Sequence, residues 1–168
     1  MHERIQVSLD LYPCDLLFVH RDAENAPLEQ RIAEITKAVQ EAGTRMRIPP
    51  TIAVVPVRML ESWLLLDAQA IRKAAANPHG TQPLNLLRPT QLENLPDPKK
   101  MLRQLLREAS GLSGRRLNSF NHNVALHRIP DYIEDFSQLR TLPAFQRLEE
   151  TVSETIRSSI LPQLGLSP

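Results

Sequence analysis

Apolar positions at the start of the chain recur at helical spacing, with Ile5, Leu9 and Tyr12 on one stripe. Residues 3–12 therefore read as a short amphipathic helix that Pro13 stops. The pattern then changes. Residues 15–20, "DLLFVH", form a mostly apolar run bounded by polar residues, as expected of a strand buried on both faces. Leu28, Ile32, Ile35 and Val39 return to the helical period over 27–42. Pro27 stands at the first turn and Gly43 just past the last one, the usual asymmetry of helix ends. "TIAVVPV", residues 51–57, reads as a second strand, with Pro56 confined to its end or to an unpaired edge. A single strong helix is predicted from Met59 to about Ala76, closed by Asn77-Pro78.

This α-β-α-β-α order is the grammar of a layered sheet with crossover helices. Residues 78–96 are proline-rich without clear periodicity and read as a surface excursion. The remainder is helical in pattern. Asp97 is an N-cap followed by Pro98 at the first helical position, opening a helix through Met101, Leu102, Leu105 and Leu106. "GLSGRR" breaks it, short amphipathic pieces follow over about 122–134, and a last helix runs from near Pro143 through Phe145, Leu148, Val152, Ile156 and Ile160. The expectation is one domain over 1–168: a three-layer α/β core (1–77) with a small, mostly parallel sheet, the excursion (78–96), and a helical C-terminal portion (97–168).

Composition narrows the functional classes. A chain of 168 residues, 42% hydrophobic and 23% charged, can bury a real core. Twenty basic residues against nineteen acidic ones exclude a strongly basic nucleic-acid arm, though not a local basic patch. Cys14 is the only cysteine, so an internal disulfide and a thiolate zinc cluster are both excluded; at the entrance to a strand it reads as a small core residue. No apolar run is long enough to span a bilayer, and "MHERIQVSLD" lacks a signal-peptide h-region, which together point to a reducing cytoplasm.

Candidate chemistry concentrates where the first strand ends. Asp22 and Glu24 follow its carboxyl end, the edge at which parallel α/β sheets bind ligands. Two carboxylates at i and i+2 can ligate a hard cation, above all Mg²⁺ with retained waters, or can simply cap a turn and meet solvent. His20 and Arg21 flank them; the histidine reads as a hydrogen-bonded structural residue, the arginine as a phosphate contact or an ion-pair partner. Glu61 stands in the first turn of its predicted helix, where the macrodipole favours an acid, beside a broad apolar surface carrying Trp63. Arg58 precedes it and could neutralise Glu61 or contact an anion. Lys99-Lys100 and Arg115-Arg116 read as solvated pairs. Nucleophile-elbow, H-E-x-x-H and glycine-rich phosphate-loop patterns are absent from a chain with five glycines.

Three stretches together, "LLFVHRDAE", "VVPVRMLESWLLLDAQAI", and "DPKKML" with "LPAFQRLEE", resemble the bacterial domain-of-unknown-function family 4276, whose core is similar to the TOPRIM fold of topoisomerases, primases and nucleases. The resemblance covers most of the chain. It implies a Mg²⁺-dependent phosphoesterase or nuclease acting on nucleic acid, in phage defence or DNA maintenance. Asp22 and Glu24 would match the D-x-D metal element, Glu61 would be a third metal ligand or general base, and Arg21 and Arg58 would hold phosphate. The TOPRIM pattern also has a strand ending in glutamate ahead of the D-x-D strand. Only a helix of about three turns fits before Asp15. On this reading the frame opens upstream of Met1, the ligand is lost, or Glu61 replaces it. The alternative is a non-catalytic interaction or regulatory module, binding a protein partner or a second copy through an exposed sheet edge.

Overall fold

A computed structural model of the chain describes residues 1–163 and 165. In chain order, helix α1 (His2–Leu11) leads into strand β1 (Leu17–His20), helix α2 (Leu28–Gly43) and strand β2 (Thr51–Val54). A 3₁₀ turn (Leu60–Leu64) precedes helices α3 (Ala68–Ala74), α4 (Pro89–Leu92), α5 (Pro98–Ala109), α6 (Gly114–Asn118) and α7 (His122–Arg128). Two further 3₁₀ turns (Pro130–Tyr132 and Ser137–Thr141) lead to helix α8 (Pro143–Thr155), which continues through a π turn (Ile156–Ile160) into Leu161–Gln163. The fold is mixed α/β and mostly helical, with a small parallel sheet in the described residues.

Two compact units form. The first joins Met1–Val57 to the segment from Pro143 onward; the second is Arg58–Leu142. The residues expected as α/β core (1–77) and as helical portion (97–168) each contribute to both units.

In the first unit β1 and β2 run parallel, with Leu17 opposite Thr51 and His20 opposite Val54. The Leu17 amide donates to the Pro50 carbonyl and the Arg21 amide to that of Val54, both at 2.9–3.0 Å. In this register the carbonyl of Arg21 would need an N–H from residue 56, and proline has none, so the ladder stops there although the apolar run continues to Val57. The strand predicted over 51–57 is accordingly four residues long. The Leu17 and Val19 face of β1 packs toward Ile5 and Leu9 of α1 and Ala38 and Ala42 of α2. Ala23, Ile35 and Val55 form a neighbouring buried cluster. α8 packs against β2, and its Arg147 pairs with Glu29 of α2 at 2.6 Å.

Two expectations for β1 are corrected. It is not buried on both faces, because burial alternates along it and Phe18 is 51% exposed. Cys14 is exposed rather than a core residue, because the strand begins three residues later, after the bend that follows Pro13.

In the second unit the helix predicted over 59–76 is two elements. Asp67 interrupts it: its carboxylate accepts from the amides of Gln69 and Ala70 at 2.8 and 2.9 Å, an N-cap that starts α3 afresh. α3 closes in a Schellman motif, with the Ala76 amide donating to the Lys73 carbonyl, the Asn77 amide to that of Arg72, and Ala76 itself at φ 59°. Asp97 caps α5 through the Lys100 amide, as its sequence requires. α5 packs on α3, α7 and the 3₁₀ turn, burying Ile71, Leu102, Leu106 and Ile129. The 78–96 stretch is not wholly a surface excursion, since Leu92 of α4 is fully buried.

Candidate functional site

The loop leaving β1 stays extended beyond the strand. The Ala23 amide donates to the Pro56 carbonyl at 3.0 Å, continuing the alternation in which odd-numbered residues turn toward β2. Side chains two apart therefore share a face. His20 and Asp22 do so, with Nε2 3.0 Å from Oδ1, while Arg21 and Ala23 face α2. Histidine 20 is thus hydrogen-bonded, as its position at the strand terminus predicts.

On the α2 side four charges interlock. Arg21 Nε lies 2.9 Å from Glu34 Oε2, and Arg31 Nη1 donates to the same carboxylate at 3.0 Å. Arg31 also donates through Nε to the Ala23 carbonyl at 3.4 Å and stands 3.7 Å from Glu24. The Arg31 hydrogen bond is the largest of the effects that hold the Glu34 carboxyl below its ordinary value of 4.5, with Arg21 adding to it and partial desolvation opposing. Sequence reasoning passed over Arg31 and Glu34. Their i, i+3 spacing on the first turns of α2, directly after the acidic loop, was the available signal.

Glu24 is backbone-strained. The Ala26 amide donates to the Ala23 carbonyl at 2.9 Å, which makes residues 23–26 a tight turn with Glu24 at its first corner and φ at 56°. That corner is ordinarily glycine's when φ is positive. A side chain there costs about 1–2 kcal/mol. The ion pair with Arg31 is long, and the Glu24 side chain is 70% exposed, so water screens it and it offsets little of that cost.

The other predicted residues lie in the second unit. Glu61 is at the start of the 3₁₀ turn, its carboxylate largely covered and 3.7 Å from Lys99 Nζ of α5. Lys99 is therefore an ion-pair partner as well as a surface residue. Trp63 is buried, as expected. The structure brings Arg21, Asp22 and Glu24 together on one loop, while Arg58 and Glu61 belong to the other unit. Among the described residues, no three His, Cys, Asp or Glu side chains are grouped closely enough to hold a metal ion. Likewise no helix is long and apolar enough to cross a membrane.

Each acid of the loop is a donor that a hydrated divalent cation accepts, but the two are turned to different partners, Asp22 to His20 and Glu24 to Arg31 on the α2 side. Asp22 and Glu24 offer hard carboxylate oxygens, Glu24 is open to solvent, and a small cation that keeps several waters needs only one or two such ligands. Comparison with protein-family models, curated proteins and solved structures finds no match for the chain.

Proposed function

We propose that the chain is a Mg²⁺-dependent phosphoesterase or nuclease whose working loop is His20–Glu24. The observation that carries this reading is the strained backbone of Glu24. A glycine would satisfy the turn at lower cost, and the exposed ion pair gives too little back to explain the glutamate. Backbone strain of this size clusters at active sites and ligand clamps, and here, unlike at Ala76 where it closes a helix, it falls on an acid beyond the end of a parallel strand.

The position of the loop supports the same reading, since it leaves the carboxyl end of a parallel strand. A three-layer, TOPRIM-like arrangement of α1, α2 and α8 about the sheet belongs to the proposal. Asp22 and Glu24 would hold a cation that keeps several of its waters, these bridging between a carboxylate turned to His20 and one turned to Arg31. His20 orients the Asp22 carboxylate, and Arg31 stands 3.7 Å from that of Glu24. Arg21, pre-positioned by Glu34, would contact a phosphate oxygen. A divalent cation there supplies Lewis-acid stabilisation of a phosphoryl oxygen.

A non-catalytic interaction module is the second reading, favoured by the open edge of β1 described below. Hydrolysis of bis(p-nitrophenyl) phosphate and nicking of plasmid DNA, each with Mg²⁺ or Mn²⁺, separate the two. The enzyme reading expects metal-dependent turnover that Asp22→Asn and Glu24→Gln each reduce at least tenfold while Glu29→Gln leaves it intact. Turnover indifferent to both loop substitutions, or absent with either metal, rejects it.

A further inference from the structure

The sheet is too narrow for the helices packed against it. Two strands about 4.8 Å apart give a platform roughly 10 Å wide. α1 and α2 lie side by side over one face of it, burying Ile5 and Leu9 against Ala38 and Ala42. Two adjacent helices need about 20 Å. The shortfall appears as a groove of about 400 Å³ along the outer edge of β1, walled by Met1 and by Arg4 and Ser8 of α1 and floored by residues 17–21.

Backbone chemistry defines what fits there. Leu17, Arg21 and Ala23 bond toward β2 and its continuation, so the N–H and C=O groups of Phe18 and His20 point outward into the groove. Such a row of outward groups is satisfied by another extended chain. The surroundings are apolar. Met1 and Phe18, two of the large hydrophobic residues exposed among the described residues, line the groove together with Ile5, Leu17 and Val19. Ionisable groups on the groove are basic: Arg21 is matched by Glu34 and His20 by Asp22, whereas Arg4 has no ion-pair partner among the described residues.

The geometry points to β-strand addition: an extended segment of a partner polypeptide, apolar at alternate positions and carrying a carboxylate for Arg4, docks between α1 and β1 as a third strand. A second copy of the chain is the weaker occupant. A second copy would bring one basic groove against another, whereas an acid-bearing segment answers Arg4. This inference rests on neither the loop acids nor a metal, although the groove shares His20 and Arg21 with the proposed working loop.

Random linear twelve-residue peptides displayed on phage, panned against the full chain, provide the probe. Expected are selected peptides with alternating apolar positions and an acid. A selected peptide should protect the Phe18 and His20 amides from hydrogen exchange and bind Arg4→Glu at least threefold more weakly. Phe18→Pro, which removes an outward donor and no ladder bond, should weaken it at least tenfold. Because Arg4 is a surface residue, its variant tests the proposal even where Phe18→Pro fails to fold. Selected peptides without alternation, or peptides that leave the two amides unprotected and bind Arg4→Glu as tightly as the native chain, overturn it. A concentration-dependent dimer in sedimentation that Arg4→Glu or Phe18→Pro dissolves also overturns it, in favour of a second copy.

Discussion

Replacing Glu24 by glycine separates what the fold needs from what the site keeps. The residue turns the corner at φ 56°, a conformation that costs a side chain about 1–2 kcal/mol and glycine nothing. Glycine in turn gives the unfolded chain extra freedom worth about 0.4–1 kcal/mol. The exposed, 3.7 Å contact with Arg31 contributes little on either side of the balance. The net expectation is that Glu24→Gly is more stable than the native chain by about 0.5 kcal/mol, or about 1–2 °C in thermal midpoint for a chain of this size. Glu24→Ala keeps the strained backbone and loses the carboxylate, so it should melt at or just below the native midpoint. Both variants should lose metal-dependent turnover. Scanning calorimetry of the three proteins, with phosphodiesterase rates on the same samples, is the assay. The reasoning fails if Glu24→Gly is less stable than Glu24→Ala, the order found wherever an alanine sits comfortably.

The same backbone argument predicts that Ala76→Gly stabilises the chain by about 0.5–1 kcal/mol, since Ala76 occupies the left-handed position of the Schellman motif closing α3; a denaturant melt checks it. Leu102→Ala empties a fully buried position of α5 and should cost about 2–5 kcal/mol, measured by the same melt. The carboxyl of Glu34 is held below its ordinary value of 4.5 by Arg31 and Arg21. It therefore contributes stability at neutral pH that fades as pH falls through 4.5 toward the lower folded value. Glu34→Gln should flatten the pH dependence of the melting midpoint in that acid window and leave its slope above pH 6 unchanged. Equal slopes for the two proteins throughout the acid range would contradict the Arg21–Glu34–Arg31 network.

Helices with a complete local code were legible before any coordinates. α1, α2 and α5 follow from apolar spacing bounded by Pro13, by Pro27 and Gly43, and by Asp97-Pro98, because their hydrogen bonds close within the segment. The acids after β1 were equally visible as a pair on a loop. The break at Asp67 was in the sequence as well, but a run of apolar residues on both sides concealed that its carboxylate was worth more as a cap on Gln69 and Ala70 than as an interior residue. What sequence could not supply was partnership across distance. Only the parallel register revealed that Pro56 ends the ladder by withholding one N–H, that Phe18 and His20 turn their backbone outward, and that Lys99 answers Glu61. Nor could periodicity foresee the positive φ of Glu24, which the 23–26 turn imposes to carry the chain from β1 into α2. Local hydrogen bonding is encoded by neighbours in the chain; strand edges, ion pairs and strained corners arise from residues brought together by folding.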